Sequence, residues 1–144
     1  TWLWDGRAWR ELFPAHRPSA RHGHSMAFDA ARGVIVLFGG DAGERDTWEW
    51  DGLDWTQRAT AVAPPSYAGA PTRGSGGMVY DASRQRMVIF GGTDIAGWYL
   101  GETWEWDGST WLQRRPPVSP PARYWHSMAY DESRGRVVVW GGLG

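Results

Sequence analysis

His22 and His24 lie two residues apart, so an extended backbone places both imidazoles on one face, a spacing that could offer two nitrogen ligands to a metal. His16 and His126 lie elsewhere, Gly76 stands where His24 and His126 recur, and no carboxylate is in step with them. The expectation is therefore hydrogen-bonded histidines and no metal. Arg21, Arg73 and Arg123 occupy matched positions. They could gather guanidiniums around an anion, or be paired by Glu49, Glu105 or loop carbonyls. The chain has twelve tryptophans, and half fall in Trp-x-Trp pairs that could stack on sugars. Packing is the stronger reading, because large aromatics recurring at strand period normally fill a core. Tyr67, Asp94, Trp98, Tyr99, Tyr124 and Trp125 differ: they do not recur in every copy of the pattern described below, and they form the candidate binding set together with the three arginines.

Several classes of chemistry are excluded. The chain has no cysteine, hence no disulfide, thiolate metal site or thiol nucleophile. No nucleophile–base set, paired carboxylates or phosphate loop appears, so neither an enzyme nor a cofactor is expected. The net charge of −1 carries no basic footprint for nucleic acid. The longest apolar runs, Val34 to Phe38 and Val137 to Trp140, are strand-sized and too short to cross a bilayer.

The elements that must hold these residues repeat three times. Trp2-Leu3-Trp4-Asp5-Gly6 with Trp9 becomes Trp48-Glu49-Trp50-Asp51-Gly52 with Trp55, then Trp104-Glu105-Trp106-Asp107-Gly108 with Trp111, and these copies hold nine of the twelve tryptophans. A module repeated at this spacing cannot bury its own apolar face and must stack on a neighbour. A second motif begins at Arg21, Arg73 and Arg123 and alternates as a strand does, closing at Asp29, Asp81 and Asp131. A third is an apolar run closed by Gly39-Gly40, Gly91-Gly92 or Gly141-Gly142, read as a strand covered on both faces. Asp-x-x-Arg and Asp-Gly segments supply hairpin turns. No segment has helical period, and four short antiparallel strands in about 50 residues make a propeller blade.

The diglycine after an apolar strand, followed by Trp50 and Trp55 or by Trp106 and Trp111, resembles the kelch repeat, and the Arg-x-x-His-Ser-Met opening resembles its bacterial style. The resemblance covers essentially the whole chain and departs from its own pattern at Gly76 and at Leu3, where the other copies have Glu49 and Glu105. It implies an all-β propeller of usually six or seven blades, most often in a binding or scaffolding role. Galactose-oxidase-like enzymes are built on such blades, but their copper site needs a cysteine that this chain lacks.

Set in phase, residues 1–20 hold strands 3–4 of a first blade, 21–58 a complete blade, 73–114 a second complete blade and 121–144 strands 1–2 of a closing blade. That is three blades' worth, fewer than the four to eight of ordinary propellers. Two chains would make six blades and cover both open edges, so the expectation is a self-assembled homodimer. The alternative is a piece of a longer propeller. In a four-strand meander the 4–1 and 2–3 connections share one end, so the insertions between Arg58 and Arg73 and between Gly92 and Thr103 fall on one face. That face is the expected site for a protein or glycan ligand.

Overall fold

The computed structural model describes residues 1–40, 44–64, 77–93 and 98–144. Tyr67, Arg73 and Asp94 lie outside the described residues. Among the described residues every regular element is a strand: β1 (Trp2–Trp4), β2 (Trp9–Glu11), β3 (Ser25–Asp29), β4 (Val34–Phe38), β5 (Thr47–Trp50), β6 (Trp55–Arg58), β7 (Gly77–Asp81), β8 (Arg86–Phe90), β9 (Thr103–Trp106), β10 (Trp111–Arg114), β11 (Tyr124–Asp131) and β12 (Arg136–Leu143). They form two four-stranded antiparallel meanders, β3-β4-β5-β6 and β7-β8-β9-β10, flanked by the two-stranded sheets β1-β2 and β11-β12. These are all-β sheets of the kind that make kelch-type blades.

The turns follow from the side chains that make them. The Asp51 carboxylate accepts from the backbone N–H groups of Leu53 (2.8 Å) and Asp54 (2.9 Å), and Asp5 and Asp107 do the same in their own hairpins. The glycine after each aspartate takes a left-handed backbone, with φ of 96° at Gly6, 102° at Gly52 and 97° at Gly108. In the other hairpin Asp29 accepts from the N–H groups of Ala31 and Arg32, both at 3.1 Å.

Successive sheets pack face to face through the tryptophan motif. Trp111 on β10 packs against Phe38 of the preceding sheet at 4.8 Å, its ring tilted by 55°, and donates its indole N–H to the Thr47 hydroxyl at 2.9 Å. Trp106 on β9 donates to Glu49 at 3.3 Å. One sheet earlier, the Trp55 indole donates to the Thr1 hydroxyl at 3.0 Å, so the same contact links β1-β2 to the sheet that follows it. The inner strands β3, β7 and β11 are neighbours in that order. At the second of these approaches Gly77 lies against Met128, too close for a side chain at position 77.

The tryptophans are used very differently at the two ends of the array. Trp106 and Trp111 are 1% and 2% exposed, whereas their counterparts Trp4 and Trp9 are 50% and 63% exposed. On β12 Trp140 is 82% exposed, whereas its counterpart Phe90 is 3% exposed.

Candidate functional site

The connection between β8 and β9 and the approach to β11 are zipped together by backbone. Leu100 donates to the Gly92 carbonyl (2.9 Å), Gly92 to Arg123 (2.9 Å) and Arg123 to Leu100 (3.0 Å). These bonds put the 2–3 connection of one sheet and the 4–1 connection to the next at the same end. Gly91, at φ +66°, lies so close to the Arg123 carbonyl that a Cβ there would stand 2.4 Å from its oxygen. Only glycine allows that closeness of backbone to backbone.

On this platform three rings form a continuous row. Tyr99 stacks on Tyr124 at 4.8 Å and 25°, and Tyr124 meets Trp125 at 4.8 Å and 36°. Trp98, Tyr99 and Trp125 are all exposed. Four of the six sequence candidates are thus grouped at one end, three of them in mutual contact. Trp125 carries a further mark: its φ is +58°, a left-handed conformation that costs a residue with a Cβ about 1–2 kcal/mol. The equivalent position in the first copy is Gly23, at φ +66°. The chain holds a large exposed aromatic where the backbone favours glycine.

Arg21 and Arg123 are engaged within the fold. Arg21, with its side chain 4% exposed, grips Asp46 through both terminal nitrogens, at 2.5 and 3.0 Å, and donates to the Gly39 carbonyl at 3.0 Å. Burial alone would raise the Asp46 carboxyl, but the hydrogen bonds from Arg21 and Trp48 and the Arg21 charge hold it below its ordinary value. Arg123 donates to the Gly141 and Pro121 carbonyls.

Sequence reasoning missed the polar network that runs across each complete sheet. Arg32 bridges Asp29 (2.7 Å) and the buried Glu49 (2.6 Å), and Glu49 also takes Arg58 at 2.6 Å. In the next sheet Arg84 bridges Asp81 and Glu105, and Arg114 completes the set at 2.7 Å. Asp29 and Asp81 are therefore turn formers and ion-pair anchors at once. Burial opposes their ionisation, yet Arg32 and Arg84 hold their carboxyls below the usual range. The in-phase recurrence of Arg32 with Arg84, Glu49 with Glu105 and Arg58 with Arg114 was the available signal.

His126 is buried and takes a hydrogen bond at Nε2 from the Gly77 backbone N–H, at 3.1 Å, with its ring edge-on to Phe90. An accepting Nε2 is unprotonated, so this bond requires neutral imidazole. Burial first, and the Arg123 charge second, lower the His126 pKa from 6.5; burial and Arg21 act likewise on His24. A histidine depressed in the folded state is neutral there while its unfolded counterpart takes up a proton. The stability it supports is present above pH 6.5 and is lost as pH falls through the folded pKa. Denaturant titrations from pH 7.5 to 5 should show stability falling below about 6.5, with a shallower fall for His126→Gln. Equal slopes for the two proteins would contradict this role. Among the described residues, no three His, Asp or Glu side chains gather at metal-binding distance.

No family model matches the chain. An F-box/kelch-repeat protein of Arabidopsis thaliana is 32% identical over 125 residues, an alignment covering 76% of this chain and 25% of that protein. The chain thus spans about a quarter of that relative's length. This similarity and the four-stranded antiparallel sheets both fit a kelch-like β-propeller.

Proposed function

We propose that this chain is a non-catalytic, kelch-type β-propeller module that binds a protein partner through the end carrying Tyr99, Tyr124 and Trp125. Within this reading, two copies supply six blades and close a ring. The observation that carries the binding role is the strained, exposed Trp125 at the end of a stacked aromatic row. Inter-sheet packing does not require these rings, and strain concentrates where it serves a site. Rigid, half-exposed aromatics are also the side chains that most often anchor protein interfaces. The similarity to a kelch-repeat protein supports an interaction module in preference to an enzyme.

The test uses a random peptide display library selected on the wild-type chain, with a glycan array run alongside. Peptides enriched on the wild type should lose at least about thirtyfold in affinity on Trp125→Gly and Tyr124→Ala, the loss expected for an interface anchor. Trp125→Gly relieves the left-handed strain, so its fold should remain intact by circular dichroism. Peptides that bind both variants as well as the wild type would contradict the proposed face. Selective glycan binding lost in the same variants would move the assignment to a carbohydrate-binding propeller.

A further inference from the structure

A cavity of about 560 Å³ opens between the sheet β7-β8-β9-β10 and the two-stranded sheet β11-β12. Val88, Phe90, Thr103 and Glu105 line one wall, and Val137 and Val139 the other. Its size is that of a small-molecule site. The internal repeat identifies a different occupant.

At the preceding joint the corresponding space is filled. There Phe38 stands for Phe90, Thr47 for Thr103 and Glu49 for Glu105, and the filling groups are Trp111 and Trp106. Trp111 packs against the phenylalanine in a tilted ring contact and donates to the threonine; Trp106 donates to the glutamate. The residues at those motif positions in the first copy are Trp9 and Trp4, which are exposed. We propose that the cavity is a socket for the β1-β2 hairpin of a second copy of this chain. Trp9 of that copy packs against Phe90 and donates to Thr103, and its Trp4 donates to Glu105.

The strand pairing follows from the same equivalence. β4 pairs with β5 as Ile35↔Trp50, Val36↔Glu49, Leu37↔Trp48 and Phe38↔Thr47. β8 pairs with β9 in the same register. Carried one unit on, β12 pairs with the second copy's β1 as Val137↔Trp4, Val138↔Leu3, Val139↔Trp2 and Trp140↔Thr1. The reverse face agrees. Trp140 then takes the place of Phe38 and covers Trp55 of the copy that supplied the hairpin. Leu3 and Leu12 replace the Glu49–Arg58 pair together, so an apolar pair meets Val138 where the complete sheets place an ion pair. Leu12 already packs on the cluster of Leu37, Trp50 and Trp55. Each of two chains gives a hairpin and receives one, which closes the assembly and leaves no open sheet edge at either joint.

This inference rests on the ring closure proposed above and is independent of the aromatic binding face. The cysteine-free background makes it testable by a short thiol–thiol cross-linker. A chain carrying Leu3→Cys and Val138→Cys should give cross-linked dimer in high yield, because directly opposed positions lie within about 5.5 Å. Leu3→Cys with Trp140→Cys, out of register and facing diagonally, should give at least several-fold less. Trp4→Ala and Trp9→Ala should each weaken dimerisation at least about thirtyfold while leaving the circular dichroism of the monomer unchanged. A monomer at every concentration would overturn both ring closure and the socket. A dimer whose two cysteine pairs cross-link equally, or one unaffected by loss of Trp4 and Trp9, would overturn the socket and leave self-association standing.

Discussion

Trp111→Ala is expected to destabilise the chain by about 3–5 kcal/mol in chemical denaturation, the usual cost of deleting a fully buried tryptophan. Trp111 is 2% exposed, packs against Phe38 and donates to the Thr47 hydroxyl, so its removal opens a cavity between two sheets and strands a buried polar group. Stability of this size is a large part of what a domain this small possesses. Leu112, the next residue on the same strand, points to the other face and is 50% exposed. Leu112→Ala should cost less than about 1 kcal/mol. Similar losses at the two positions would mean that the tryptophan motif is not the joint between sheets.

Glu49→Ala should cost about 2–3 kcal/mol, measured in the same way. The carboxylate is buried and takes hydrogen bonds from Arg32, Arg58 and the Trp106 indole. The arginines are 30% and 45% exposed at their side chains and recover some hydration when the carboxylate goes, which keeps the cost below that of breaking a fully buried pair. The first copy of the motif shows how the site can be apolar instead, with Leu3 and Leu12 in the two places. Glu49→Leu combined with Arg58→Leu should therefore recover at least half of the loss seen for Glu49→Ala. A double variant as unstable as the single one would show that the ion pair is not interchangeable with the leucine pair.

The strands were legible because their signals are local. Alternation over residues 24–29, the β-branched run Val34 to Phe38 and the Asp-Gly turns each specify a few residues of backbone, and all three recur in phase. The packing role of the tryptophans in the two complete sheets, Trp50, Trp55, Trp104, Trp106 and Trp111, was legible for the same reason: the repeat calls for them in phase. The partners of charged groups were not legible to the same degree. Arg32 meets Glu49 across two strands, and Arg21 chooses Asp46 over the glutamates that the sequence offered. Such choices depend on register and on which face a side chain takes. The aromatics of the proposed binding face were legible as a non-recurring set, but not as a row. The stacking of Tyr99 on Tyr124 depends on the backbone zipper through Gly92, Leu100 and Arg123. The left-handed Trp125 was signalled only by its alignment with Gly23, and Gln85 shows a similar substitution, at φ 53° where Gly33 has 69°.

We propose that each sheet is covered by a neighbour built to the same pattern, and that a second copy of the chain supplies that neighbour for β1-β2 and β11-β12. Sedimentation equilibrium of the wild-type chain across a range of concentrations tests this most directly. The expected result is a closed species of twice the 16.2 kDa chain mass, with no larger assembly as concentration rises. A stable monomer of 16.2 kDa at all concentrations, or open-ended growth beyond the dimer, would contradict it.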